Sequence, residues 1–99
     1  MKRVVLDLGA QIELAEILQW LSEHSADHGD AFAAAYDAIE RRIAENPEQF
    51  PETEPGIRRA LIRRFRCSVY FILEENEAVI MAVAHQRRRP GYWRDRETE

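Results

Sequence analysis

The densest chemistry in the 99-residue chain lies near its end, in the run Ala84-His85-Gln86-Arg87-Arg88-Arg89-Pro90-Gly91-Tyr92-Trp93-Arg94-Asp95-Arg96. Guanidinium forks grip phosphate or carboxylate at two points at once. Tyr92 and Trp93 add rings that stack on bases or anchor a protein surface. His85, Arg87, Arg88, Arg89, Tyr92, Trp93, Arg94 and Arg96 are therefore the target-binding candidates, for nucleic acid or for an acidic protein. The competing reading is a solvated tail with Trp93 folded back on the body. His85 ends a strand-like run, where an imidazole is held yet reachable and could serve as a general acid or base. A structural histidine is the simpler use of such a position.

Arg58, Arg59, Arg63, Arg64 and Arg66 form a second basic set. Strand alternation would put Arg59 and Arg63 on one face and Arg58 and Arg64 on the other, so the five share no single surface. Internal ion pairs with acidic helices serve equally well. His24 and His28 have a metal-compatible spacing but no third ligand nearby, so no metal site is expected. The sequence holds no Gly-rich phosphate loop, no Ser/His/Asp constellation and no paired-carboxylate signature. No cofactor is expected, and no catalytic residue is assigned.

The chain's charge is divided. Residues 1–56 carry 12 acidic and 4 basic side chains, whereas residues 57–99 carry 6 and 10. An acidic half beside a basic half points to an anionic partner for one and a basic partner for the other. Cys67 is the single cysteine, which excludes an internal disulfide and a cysteine-rich zinc site. It sits in an apolar run and reads as a buried thiol. The longest apolar stretch, residues 78–84, is far too short to span a bilayer. The N-terminus lacks a long apolar region. A cytoplasmic protein with no membrane contact is expected.

These residues must be positioned by a small set of elements. Val4, Val5 and Leu6 read as a short strand closed by Asp7 and Gly9. Ala10, Leu14, Ile17, Leu18 and Leu21 recur at helical spacing, with Ile12 and Trp20 widening the stripe. That helix should end between His24 and Asp27. Gly29 and Asp30 punctuate, and a second helix follows on Phe32, Ala35, Tyr36, Ile39 and Ile43. Asn46-Pro47 stops it, making an antiparallel hairpin. Residues 47–56 read as a Pro-rich loop inside one domain, residues 1–99. Strands are expected over residues 58–64, 66–74 and 77–86, the last two as a central hairpin. The order is β-α-α-β-β-β, an α+β fold with a helical hairpin packed on a mostly antiparallel sheet.

With these elements in order, nearly the whole chain resembles the RelE/ParE superfamily of toxins from type II toxin–antitoxin systems. The likeness rests on Ala10-x-x-Glu13-Leu14-x-x-Ile17, Ile43-x-x-Asn46-Pro47, Gly56-x-Arg58 and Ser68-Val69-Tyr70-Phe71. It is best at Val83-x-His85-x-Arg87-Arg88-x-Pro90-x-Tyr92-Trp93-x-x-Arg96. The resemblance implies a growth-inhibiting toxin neutralised by a cognate antitoxin, of a ParD-like ribbon-helix-helix type. RelE-like members are ribosome-dependent endonucleases that cut mRNA; ParE-like members poison DNA gyrase. The RelE-like arginine of the penultimate strand is matched by Ser68, and no lysine pair precedes the sheet. The likeness is therefore closer to ParE: gyrase is the expected target, the ribosome and mRNA the alternative, and a non-toxic binding module a third. Ile12 and Trp20 are the antitoxin-binding candidates, since such antitoxins fold a C-terminal segment onto the toxin. Both residues also suit the core, a reading that fits Ile12 better.

Overall fold

A computed structural model describes residues 1–86. The chain runs β1 (Arg3–Leu6), α1 (Leu8–His24), α2 (Ala26–Glu45), a 3-10 turn (Pro47–Gln49), β2 (Glu52–Glu54), β3 (Ile57–Ile62), a second 3-10 turn (Arg63–Phe65), β4 (Cys67–Leu73) and β5 (Glu77–His85). The strands form one sheet in the order β1-β5-β4-β3-β2. All neighbours are antiparallel except β1, which pairs parallel with β5. This is the expected α+β layout of two helices on a mostly antiparallel sheet, with β5 and β4 central.

Helix α1 starts two residues earlier than its apolar period indicates. Asp7 closes the strand and also caps the helix: its Oδ1 accepts the Ala10 N–H at 2.8 Å. Such a cap is worth about 1 kcal/mol. Ala10 is fully buried, and Leu14, Ile17, Leu18 and Leu21 pack beside it on the core.

The break between the helices is not at Gly29 and Asp30. It is the single extended residue Ser25, and α2 begins at Ala26. Gly29 lies buried inside α2, where a Cβ would come within 3.2 Å of Ser22 Cβ and 3.4 Å of Ser22 Cα. The glycine lets the two helices approach closely at the tight end of the hairpin. From there Phe32, Tyr36, Ile39 and Ile43 follow at i, i+4, i+7 and i+11 and are all buried.

The Pro-rich loop is more ordered than its composition implies. It holds a 3-10 turn and the three-residue edge strand β2, so the sheet has five strands. Strand β3 ends at Ile62, two residues earlier than expected. Arg63 and Arg64 therefore leave the sheet and do not alternate with Arg59. Ala60 and Ile62 face the helices, and Leu61 between them is the outward residue.

The helix-covered face buries Val69, Phe71, Ala78, Ile80 and Val83 with Phe32 and Ile43. Phe50 meets Phe71 edge-on at 5.8 Å. Each large side chain buried here contributes about 1.5–3 kcal/mol of transfer free energy. The β4–β5 register slips between Tyr70 and Phe71, leaving Met81 as the extra residue of β5. Met81 and Ala82 then join Ile57, Tyr70 and Ile72 in a smaller cluster separate from the main core. The Tyr36 hydroxyl is buried, with no well-aligned hydrogen-bond partner among the described residues. Burial first, then the nearby Glu40 and Asp37, push its pKa far above the phenol range. No helix among the described residues is long and apolar enough to cross a membrane.

Candidate functional site

Strand β1 is shorter than the strand it pairs with, and this opens the site. β1 covers Glu77 to Ile80 of β5. The Asp7 N–H then bonds Ile80 O at 2.9 Å and the chain turns into α1. Beyond that point α1, not a strand, accompanies β5. A strand edge left this way exposes main-chain donors and acceptors. Glu13 meets one of them: its Oε1 accepts the Val83 N–H at 3.1 Å. The carboxylate takes the place that a neighbouring strand's carbonyl would occupy.

Between α1 and this part of the sheet lies a groove of about 510 Å³. Helix α1 contributes Glu13, Glu16, Ile17, Trp20 and Leu21. Phe65, Cys67, Val83 and His85 form the sheet side. The lining is mostly apolar, with Glu13 and Glu16 on the helical rim. Trp20 is 59% exposed, and its ring rests against His24 at 4.5 Å between centroids. Burial pushes the Cys67 thiol up to about 11, so it is a neutral wall of the groove near pH 7. Its Sγ lies 3.4 Å from Phe65 O.

The structure redistributes the candidates. His85 and Trp20, 65 positions apart, line the same groove. Ile12 is 50% exposed and does not complete the core, because it projects from the solvent side of α1. Leu8, one turn earlier, is 70% exposed beside it. Arg87, Arg88, Arg89, Tyr92, Trp93, Arg94 and Arg96 lie outside the described residues.

The second basic set divides. Arg58 is internal: it donates to Phe50 O at 2.6 Å and pairs with Glu52 at 3.6 Å, tying β3 to the loop before it. Arg59 Nε is buried without a partner among the described residues. Arg63, Arg64 and Arg66 are exposed in the turn that leads into β4. Ser68, half-buried on β4, stands opposite Ala84. His24 closes α1, with Nδ1 2.9 Å from Trp20 O, and His28 lies in the next helix beyond the Ser25 break. The two therefore do not share a helical face.

Glu13 is the residue that reading by type passed over. Its only signal is its place in the Ala10-x-x-Glu13-Leu14 spacing, six residues after the Asp7 cap.

The described chain is thus a helical hairpin on a five-stranded sheet, with an apolar, carboxylate-rimmed groove at an unfinished strand edge. The chain matches the family model for the ParE toxin of the type II toxin–antitoxin system parDE over residues 4–90, and it belongs to that family. Among solved structures it is similar to a chain of the chromosomal ParDE TA system from P. aeruginosa. That match has a TM-score of 0.72 at 16% identity and covers 86% of this chain and 96% of the other. At that identity the likeness concerns the fold. A search of curated protein sequences finds no match.

Proposed function

We propose that this toxin, taken as one domain over residues 1–99, poisons DNA gyrase and is neutralised by a ParD-like ribbon-helix-helix antitoxin. The groove between α1 and β5 would receive the antitoxin's C-terminal segment. One observation carries the docking reading: an open groove lined by Ile17, Leu21, Phe65 and Val83, with the half-exposed Trp20 at its rim. Large aromatics beside desolvated apolar pockets supply most of the energy in protein interfaces. Glu13 and Glu16 on the same rim suit a segment that also carries basic residues.

Membership of the ParE family supports gyrase as the target. So does Ser68 on β4, at the position where the RelE-like likeness would place an arginine. The C-terminal arginines with Tyr92 and Trp93 are the proposed contact with the target. Controlled expression in a sensitive bacterium tests this. Covalent gyrase–DNA complexes should accumulate, and co-expressed antitoxin should suppress them. New mRNA ends within translated codons, without gyrase complexes, would instead identify a ribosome-dependent nuclease.

A further inference from the structure

The turn between β3 and β4 is an exposed cation cluster that neither the groove nor the fold uses. Arg63 and Arg64 lie in the 3-10 turn, and Arg66 closes it in the left-handed region at φ 54°. All three side chains are exposed. Three other arginines are tied down, Arg3 to Glu77, Arg58 to Glu52 and Arg42 to Gln49, whereas Arg41 stands alone on the surface of α2 rather than in a cluster. Among the described residues, Arg63, Arg64 and Arg66 have no carboxylate in ion-pair range. Arg64 instead lies over the Phe65 ring at 5.4 Å. The turn also adjoins the end of β5, where the Gln86 N–H bonds Arg66 O at 2.8 Å.

We infer that Arg63, Arg64 and Arg66 bind the phosphate backbone of duplex DNA. The choice of ligand follows from what surrounds them. An acidic protein surface is normally met by charges around an apolar or aromatic anchor. Here the single apolar residue of the turn, Phe65, is turned inward and packs edge-on against Phe32 at 5.2 Å. Single-stranded nucleic acid is held by stacking on exposed rings, and this turn offers none. Bare guanidiniums on a convex turn match phosphates spaced along a duplex. The division of charge orients the encounter, because the acidic half of the chain, residues 1–56, repels DNA while this turn attracts it.

The inference stands apart from the choice of target, since the test needs no gyrase. Fluorescence anisotropy of a labelled 20-base-pair duplex would be followed over a range of salt concentrations. Each phosphate contact contributes about −0.9 to the slope of log K against log salt. The R63Q/R64Q/R66Q variant should lose about 2–3 from that slope. Three contacts correspond to about 40-fold in affinity over a fourfold rise in salt. R63K/R64K/R66K should restore the slope, and R41Q, an exposed arginine of α2, should leave it unchanged. Circular dichroism melting would check that each variant folds. An unchanged slope in the glutamine variant overturns the inference. So does absence of duplex binding by the parent chain, or tighter binding to an acidic peptide or single-stranded RNA of equal charge.

Discussion

The α1–β5 groove and the β3–β4 turn are neighbours joined through Phe65, yet they are built for opposite partners. The groove is concave, apolar and edged by Glu13 and Glu16. The turn is convex and presents Arg63, Arg64 and Arg66 with its one ring turned inward. Desolvation of apolar surface would drive the proposed binding in the first, whereas Coulomb attraction that salt screens would drive it in the second. The difference teaches how one short sheet can present two chemically opposite surfaces without a second domain. β1 ends early and leaves an edge, and β3 ends early and leaves a turn.

The comparison breaks most completely if the joint between the regions is removed. Phe32 is fully buried and supports Phe65, which contributes to both. Phe32→Ala should cost about 3–5 kcal/mol of stability, measured by denaturant unfolding, and should weaken both kinds of binding together. Trp20→Ala sharpens the contrast. Truncating an exposed ring should change stability by no more than about 0.5 kcal/mol. Antitoxin affinity should fall by about 2 kcal/mol, near 30-fold, with the salt slope for DNA untouched. Calorimetric titration with the antitoxin measures this.

Glu13 is the next smaller effect. Glu13→Ala leaves the Val83 N–H without its acceptor, which should cost about 1–3 kcal/mol. Glu13→Gln keeps a carbonyl oxygen on the same stem and should cost less than half as much. Equal losses would mean that the carboxylate charge, not the hydrogen bond, matters there. The smallest effect is the pH response of Cys67. Its thiol is pushed up by burial to about 11, so the folded state holds its proton more tightly than the unfolded chain. Stability from this group is therefore fully present below pH 9 and is lost as pH rises from 9 towards 11. Cys67→Ala should flatten that part of a stability–pH curve, although ionisation of Tyr36 in the unfolded chain adds a slope of the same sign.

Much of the fold was legible because its elements follow simple periods. The helical stripes of Ala10, Leu14, Ile17 and Leu21, and of Phe32, Tyr36, Ile39 and Ile43, face the core as their spacing requires. The hairpin of β4 and β5 follows from two apolar runs around a polar turn. Gly29 misled because glycine usually ends helices, whereas here it makes room for Ser22 across the hairpin. Strand β2 was hidden because Glu52, Thr53 and Glu54 have no apolar alternation. Pairing with β3 alone makes it a strand. The site was only half legible. Trp20 and His85 were visible as types, but their shared groove depends on β1 stopping at Leu6. Glu13 carries no unusual chemistry until a strand edge lies beside it.

The central claim is that the antitoxin occupies the groove between α1 and β5, and amide hydrogen exchange tests it most directly. Exchange would be compared for the toxin alone and with its antitoxin. Slower exchange at residues 83–85 and along residues 16–21 of α1, with residues 63 and 64 unchanged, is the result expected. Protection confined to β2, or to the solvent side of α1 around Leu8 and Ile12, would contradict it.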